Sequence, residues 1–188
     1  GALVAKRRLR TSLLHMACAG RLVAGKNVDL AIRCFEAVAE KYPDLELHIA
    51  GTGTVENELR DQALAGPYRR RIHFHGWVTD MPAFYARMDL LLFPSSHESY
   101  GNVLVEALIN GLPALVSDLP AFEEIHGDPA TFGLGDPADA ELFIQRFTAA
   151  LSRFDALCEC SFALSPQLAQ RSAMDNHLAA IAELHARA

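Results

Sequence analysis

Short apolar segments alternate with longer amphipathic segments along most of this sequence. The apolar segments predict strands at residues 13–20, 45–51, 71–77, 89–95 and 112–118, with a candidate sixth strand at 130–135. The amphipathic segments predict helices at 27–42, 54–64, 81–88, 101–110, 121–125, 137–154 and 165–188. Such alternation is typical of a doubly wound α/β layer. We therefore predict a mainly parallel sheet of about six strands with helices on both faces.

Composition is that of an ordinary globular chain, with 188 residues, 51% hydrophobic residues and a net charge of −6. The negative charge argues against nucleic-acid binding. The basic segment 6–10 is an exception, and it fits either a solvated helix or linker face or a contact with an anionic membrane surface or partner. We assign 1–12 to a linker or N-terminal remnant, 13–164 to the folded domain and 165–188 to a C-terminal helix.

The four cysteines indicate the compartment. Cys18, Cys34, Cys158 and Cys160 follow no zinc-binding spacing, so we expect reduced thiols in a cytoplasmic protein. No apolar segment of the sequence reaches the ~18 residues that a membrane span needs. The sequence does not begin with Met, and we expect it to be a fragment of a longer protein.

Candidate chemistry gathers after the predicted strands. In doubly wound folds, ligands bind beyond the carboxyl ends of the strands. Arg21 and Lys26 follow the first strand, Gly51 and Gly53 follow the second, and the polar loop 95–101 follows the fourth. Two cations, several glycines and free backbone amides are thus expected at one edge of the sheet. This combination predicts an anion site that suits a diphosphate.

The helix predicted at 101–110 carries the most unusual residue. Its N-terminus at Gly101 and Asn102 offers free amides and partial positive charge to a phosphate. Glu106 lies just over one turn further along, in an otherwise apolar segment where an unpaired carboxylate is costly. Ribose hydroxyls would satisfy it, and so would nearby backbone or an ion pair across the core. Glu98, ahead of the helix, fits either sugar hydroxyls or solvent.

Other candidate motifs are weaker. The Gly-x-Gly at 51–53 lacks the third glycine of a dinucleotide fingerprint, and Glu56 at that position would repel a pyrophosphate. His73 and His75 share one face of a strand and could bind a metal, but no third ligand is evident, so packing or surface roles are favoured. Trp77 could line a base pocket or cap the core. The sequence contains no Asp-x-Asp pair for a metal–diphosphate clamp.

The segment ESYGNVLVEAL resembles the E-x7-E motif of retaining glycosyltransferases of family 4, with Glu98 and Glu106 as its two acids. Segments 19–35, 42–60, 72–99 and 110–125 resemble further motifs of that family in the same order. The resemblance covers about residues 15–155. It implies a Rossmann-like domain that forms the C-terminal, donor-binding half of a GT-B enzyme.

The resemblance also implies roles for individual residues. Arg21 and Lys26 would hold the diphosphate and stabilise the departing charge. Glu98 would contact the transferred sugar, Glu106 would bind the ribose, and Val78 would meet the base through its backbone. The remaining positions of the nucleotide-sugar site are Gly53, Ser99, Tyr100, Gly101, Asn102 and Val103.

The implied function is transfer of a sugar, with retention, from a nucleotide diphosphate sugar to an acceptor hydroxyl in polysaccharide or lipopolysaccharide synthesis. Neither a metal nor another cofactor is expected. An acceptor glycan or glycolipid would bind mainly to an N-terminal domain absent from this sequence, so the fragment alone is expected to be inactive. The expected location is the cytoplasm, with peripheral association at the inner face of the membrane. A non-catalytic nucleotide-sugar-binding module or a partner-binding module remains the alternative.

Overall fold

The computed structural model describes residues 13–186, with side chains up to residue 173. The basic segment 6–10 lies outside the described residues. The strands are β1 His15–Ala19, β2 Glu46–Ala50, β3 Ile72–Gly76, β4 Leu90–Phe93 and β5 Ala114–Val116. The helices are α1 Val28–Val38, α2 Glu56–Ala65, α3 Met81–Ala86, α4 Asn102–Ile109, α5 Pro120–His126, α6 Pro129–Phe132, α7 Ala140–Leu151 and α8 Phe154–Ala186. Short 3₁₀ turns lie at Ala24–Lys26 and Arg69–Arg71.

The five strands form one sheet in the order β3-β2-β1-β4-β5, and every pairing is parallel. The chain moves outward from β1 to β3, then returns to the other side of β1 to form β4 and β5. The strand order therefore reverses between β1 and β4. This reversal is the topological switch point at which doubly wound sheets bind ligands.

Helices cover both faces of the sheet. Cys34 of α1 and Cys18 of β1 are both buried and close enough to interact electrostatically, so α1 lies against the Cys18 face. On the opposite face, the ring of Phe84 in α3 meets His75 of β3 edge-on at 5.4 Å between centroids. All four residues of β4 are buried, as expected for a strand covered on both sides. The predicted doubly wound fold is thereby confirmed.

Asp89 fastens β4 to β1 at their amino ends. Its Oδ2 accepts hydrogen bonds from the backbone amides of Leu14 at 3.0 Å and His15 at 2.9 Å. The Asp89 amide donates to the carbonyl oxygen of His15 at 2.7 Å. The residue is only 5% exposed, so these bonds satisfy a buried carboxylate and also fix the register of the two strands.

The predicted sixth strand at 130–135 is wrong. Pro129–Phe132 form a short helix because Asp128 caps it, with Oδ1 accepting from the Thr131 amide at 3.2 Å. Proline at the first helical position reinforces this start. Of the predicted strand, a single parallel bridge between Val116 and Gly133 is formed.

The predicted start of the C-terminal helix is also wrong. The helix expected at 165 begins at Phe154 and continues through Pro166, where the ring removes one backbone donor without ending the helix. Ser165 is buried beside it and donates from Oγ to the carbonyl oxygen of Ile109 at 2.9 Å. The helix predicted at 54–64 begins at Glu56, without a side-chain cap. Within the part of the chain that the structure describes, no helix is long and apolar enough to traverse a bilayer.

Gly20 and Gly51 allow the cost of backbone strain to be measured apart from the cost of a steric clash. Gly20 and Gly51 have nearly equal φ values of +138° and +137°. A Cβ on Gly20 would meet open space, whereas one on Gly51 would lie 1.8 Å from the Gly20 carbonyl oxygen. We expect Gly20→Ala to cost about 1–3 kcal/mol from strain alone, and Gly51→Ala to cost at least about 1 kcal/mol more through overpacking.

Urea unfolding followed by circular dichroism measures this difference. An equal decrease in the free energy of unfolding in the two variants would show that the loops after β1 and β2 can separate without cost. That result would contradict the expected close packing.

Candidate functional site

The loops after β1 and β4 meet at the switch point. Asn27 adopts a left-handed conformation with a φ of 48°, which suits an asparagine ahead of a helix. Its Nδ2 donates to the carbonyl oxygen of Pro94 at 2.8 Å and to Ser96 Oγ at 2.6 Å. The Ser96 amide donates to the carbonyl oxygen of Gly25 at 2.9 Å. These bonds hold the loop after β1, which carries Lys26, against the loop after β4, which carries Glu98.

Lys26 and Glu98 form an ion pair across this junction, between Nζ and Oε1. Their side chains are only 17% and 14% exposed, so water screens the pair weakly. Ser95 Oγ donates a second hydrogen bond to the same Glu98 oxygen at 3.1 Å. The Lys26 ammonium also lies 5.8 Å from the centroid of the Phe93 ring. The two charges are therefore fixed in place.

Arg21 differs from Lys26 because its charge is not compensated. The residue is exposed, and among the residues that the structure describes its guanidinium has no hydrogen-bond or ion-pair partner. The backbone around it is rigid, since the Gly20 amide donates to the Ala50 carbonyl at 2.9 Å and the Leu22 amide donates to the Thr52 carbonyl at 2.9 Å. A fixed backbone thus presents one unpaired cation at the carboxyl end of β1.

The N-terminus of α4 supplies further positive potential. Gly101 stands at the N-cap with a φ of 84°, and a Cβ there would lie 2.9 Å from the Phe122 ring, so the position requires glycine. The first helix amides with acceptors are those of Leu104 and Val105. The amides of Asn102 and Val103 have no acceptor within the described part of the chain, and they are available to an anion.

Glu106 is not buried as its apolar surroundings suggested. The residue is exposed, because α4 turns it away from the core while Leu104, Ala107 and Leu108 face inward. Oε2 of Glu106 accepts a hydrogen bond from Tyr85 Oη at 3.3 Å, and Tyr85 itself is fully buried. Burial, the charge of Glu106 and this hydrogen bond raise the pKa of the Tyr85 phenol. The tyrosine is thus a permanent donor that orients the carboxylate.

These groups surround one cleft of about 930 Å³. The structure brings ten of the predicted site residues to its wall, namely Arg21, Lys26, Val78, Glu98, Ser99, Tyr100, Gly101, Asn102, Val103 and Glu106. Gly53 does not line the cleft. A Cβ on Gly53 would lie 2.2 Å from the Leu22 carbonyl oxygen, so this glycine serves the close packing of two loops.

Aromatic side chains form part of the wall. Trp77 is 76% exposed, so it lines the cleft and does not cap the core. Tyr100, which is 50% exposed, also lines the cleft. Sequence reasoning missed Tyr85 and Ser95, which orient the two acids. Nothing in the spacing of Tyr85 marks it, although Ser95 could have been recognised three residues before Glu98.

Comparison with known proteins decides the family. The model for glycosyl transferases group 1 matches residues 14–153 of this chain. The chain belongs to the group 1 glycosyl transferases. The GT-B enzymes expected from the resemblance fall in this group, so the coarser part of that expectation is confirmed.

Two curated relatives illustrate the sequence similarity within the group 1 family. Mannosylfructose-phosphate synthase of Agrobacterium fabrum is 32% identical over 108 residues, which cover 52% of this chain and 24% of that protein. The lipopolysaccharide core biosynthesis mannosyltransferase LpsB of Rhizobium meliloti is 31% identical over 113 residues, covering 57% of this chain and 32% of that protein. The matched part thus spans a quarter to a third of these relatives.

A solved structure supports the fold. The pneumococcal O-GlcNAc transferase GtfA, in complex with UDP and GlcNAc, superposes with a TM-score of 0.78 at 19% identity. The superposition covers 90% of this chain and 35% of GtfA. At this identity the similarity establishes the fold alone.

A double-mutant cycle tests the Lys26–Glu98 pair. Lys26→Met and Glu98→Gln should each destabilise the chain, because each leaves the other charge poorly compensated in a largely buried position. We expect a coupling free energy of about 1–3 kcal/mol in urea unfolding.

The pair Glu56–Arg60, four residues apart on α2, is the control, since its side chains are more exposed, at 24% and 43%. It should show a coupling of only about 0.3–0.5 kcal/mol. A Lys26–Glu98 coupling as small as that of the control pair would contradict a preformed ion pair in the cleft.

Proposed function

We propose that this chain is the donor-binding half of a retaining glycosyltransferase of family 4, which transfers a sugar from a nucleotide diphosphate sugar to an acceptor hydroxyl. One observation carries the proposal. The unpaired Arg21 guanidinium, the Lys26 ammonium and the free amides of α4 share a cleft with two oriented carboxylates, Glu98 and Glu106. Positive groups suit a diphosphate, and carboxylates suit sugar hydroxyls.

The diphosphate would lie between Arg21, Lys26 and the amides of Asn102 and Val103. Arg21 binds without giving up another partner, since none of the described residues compensates its charge. Lys26 would exchange part of its interaction with Glu98 for a phosphate oxygen. Donors fixed before the ligand arrives need no reorganisation when charge develops on the leaving diphosphate.

The nucleoside would extend toward Glu106 and the loop after β3. Glu106 would accept hydrogen bonds from the ribose hydroxyls while Tyr85 holds its other side. The base would lie near Val78 and the exposed ring of Trp77, which offers an apolar face for stacking. The Glu106 carboxylate then has two neutral partners, the Tyr85 hydroxyl and the ribose. It binds the sugar part of the nucleotide and not the negatively charged phosphates.

The transferred sugar would lie beside Glu98. In the reaction, the bond between the anomeric carbon and the phosphate oxygen breaks, and the acceptor oxygen bonds to the same face of the sugar. The acceptor hydroxyl proton passes to the departing phosphate. Arg21 and Lys26 stabilise the charge on that phosphate, and Glu98 orients the sugar. We assign no metal to this step.

The comparisons support a sugar-transfer role. The relatives include a mannosyltransferase of lipopolysaccharide core synthesis, and GtfA was solved with UDP and GlcNAc. We propose that the whole protein acts in cell-surface polysaccharide or lipopolysaccharide synthesis, in the cytoplasm or at the inner membrane face. Its acceptor glycan or glycolipid would bind mainly to a second domain, so this part alone would not turn over.

Nucleotide binding tests the ribose contact directly. Titration of the chain with UDP, GDP and ADP, followed by ligand-observed NMR, should identify one preferred nucleoside diphosphate. Glu106→Ala should weaken binding of that nucleotide by about 10–100-fold, the equivalent of one to two charge-assisted hydrogen bonds. The same substitution should leave binding of the 2′,3′-dideoxy analogue nearly unchanged, because that analogue lacks the hydroxyls.

Glu141→Ala is the matched control, since Glu141 is exposed on α7 and does not line the cleft. Equal weakening of the ribonucleotide and its dideoxy analogue by Glu106→Ala would exclude a ribose contact. Absence of binding by all three nucleotides at millimolar concentration would count against the donor site.

In the full-length protein, Arg21→Ala, Lys26→Ala and Glu98→Ala should each lower kcat by at least about 100-fold, the usual effect of removing one group that stabilises transition-state charge. The configuration of the product, read by NMR, should match that of the donor. Normal transfer rates in any of these variants would favour a non-catalytic or partner-binding module.

A further inference from the structure

Histidines cluster on the sheet face that carries α3. In register, His15 of β1 pairs with Glu46 of β2, and His48 of β2 pairs with His73 of β3. Side chains at paired positions of neighbouring strands point to the same face, so these four lie together. His75 follows two residues after His73 on that face. The cluster thus spans three strands and includes four of the eight histidines in the sequence.

Three donor atoms of this cluster lie at short mutual distances. His15 Nδ1 is 3.1 Å from His48 Nε2, and it is 3.7 Å from Glu46 Oε2. His48 Nε2 is 3.5 Å from the same Glu46 oxygen. Within the described part of the chain, these residues are also the one group of His, Cys, Asp and Glu side chains whose donors converge closely enough to hold a metal ion.

We propose that His15, Glu46 and His48 form a binding site for a divalent transition-metal ion, with Zn²⁺ as its representative. Zn²⁺ binds imidazole nitrogen and carboxylate oxygen at about 2.0–2.2 Å in a tetrahedral arrangement. Simple geometry then places neighbouring donors about 3.3–3.5 Å apart. The donor atoms of His15, Glu46 and His48 lie 3.1–3.7 Å apart, close to these values. Two imidazoles and one carboxylate leave the fourth position to water.

A second layer of contacts orients the central ligand. His48 Nδ1 lies 3.0 Å from His75 Nε2. With a metal on Nε2, His48 carries its proton on Nδ1 and donates it to His75, which fixes the ring and its tautomer. Metal-binding histidines almost always have such an outer partner. The Phe84 ring against His75 restrains that partner in turn.

Charged groups around the proposed site act in opposite directions. Arg87 lies close enough to His48 to interact with it electrostatically. Arg87 opposes a cation, while the Glu46 carboxylate favours one, and only Glu46 lies within the donor triangle.

One buried ring nitrogen of the cluster, that of His73, is left without a hydrogen bond by the residues around it. Its Nε2 is inaccessible to solvent and has no hydrogen-bond partner among the residues that the structure describes. The contact to Glu46 Oε2 at 3.4 Å is within ion-pair distance but lacks hydrogen-bond geometry. An unsatisfied buried nitrogen costs free energy. Glu46 Oε2 lies within 3.7 Å of a ring nitrogen on each of His15, His48 and His73.

The proposed metal site is separate from the nucleotide cleft. His15 and Glu46 are the first residues of β1 and β2, whereas Ala19 and Ala50 at the ends of those strands line the cleft. Four residues of strand separate the two ends by about 13 Å. The metal site therefore does not depend on the proposed donor function, and a metal there does not contact the diphosphate.

Calorimetric titration of the untagged, chelator-treated chain with ZnCl₂ tests the proposal. We expect one Zn²⁺ per chain and a higher Tm in its presence. His15→Ala and Glu46→Gln should each weaken binding by more than about 100-fold, because each removes a ligand. His75→Ala should weaken it by about 10–100-fold, the usual effect of losing an outer-shell partner. Circular dichroism verifies that each variant is folded.

His97→Ala is the matched control, since His97 is exposed in the loop after β4 and lies outside the cluster. It should keep the full zinc affinity. Co²⁺ replaces Zn²⁺ as a spectroscopic probe and should show tetrahedral absorption without a thiolate charge-transfer band. A thiolate band would assign the ion to the cysteines and overturn the proposal. Zinc binding unaffected by both ligand variants, or no stoichiometric binding, would do so as well.

Discussion

The parallel pairing of β1 with β4 is the constraint on which the candidate site depends. It places the loops that follow these two strands side by side, although about 70 residues of sequence separate them. Asp89 fixes the pairing at its amino end through the amides of Leu14 and His15. At the other end, Asn27 joins the two loops. The pairing thereby brings Lys26 into ion-pair distance of Glu98.

The charged groups of the cleft are supported by the apolar core. The core of β1, β4 and their helices excludes water, and backbone hydrogen bonds fix the loops at the strand ends. Tyr85 and Ser95 form the next layer, because each donates to one acid of the cleft. Such supporting donors reduce the freedom of Glu106 and Glu98 before any ligand binds. A cleft built in this way loses little conformational entropy when it captures a charged ligand.

The sequence predicted the features that follow from local patterns. Alternating strands and helices gave the doubly wound layer, and the rule that ligands bind beyond strand ends brought Arg21, Lys26 and Glu98 to one edge. Prediction from the sequence failed where two local signals competed. Asp128 and its following proline start a helix where apolar residues indicated a strand. Tyr85 could not be predicted, because its hydrogen bond to Glu106 joins residues 21 positions apart that only the tertiary fold brings together.

The histidine cluster shows the same limit more sharply. The alternation of His73 and His75 was visible in the sequence, but their partners lie on β1 and β2, and strand register cannot be derived from local periodicity alone. A shift of one residue in β2 would turn Glu46 and His48 to the opposite face of the sheet. The register is fixed by the apolar residues Leu47 and Ile49, which are fully buried on that other face. Core packing on one side of the sheet therefore determines whether donors can meet on the other, and no motif centred on the histidines could have indicated it.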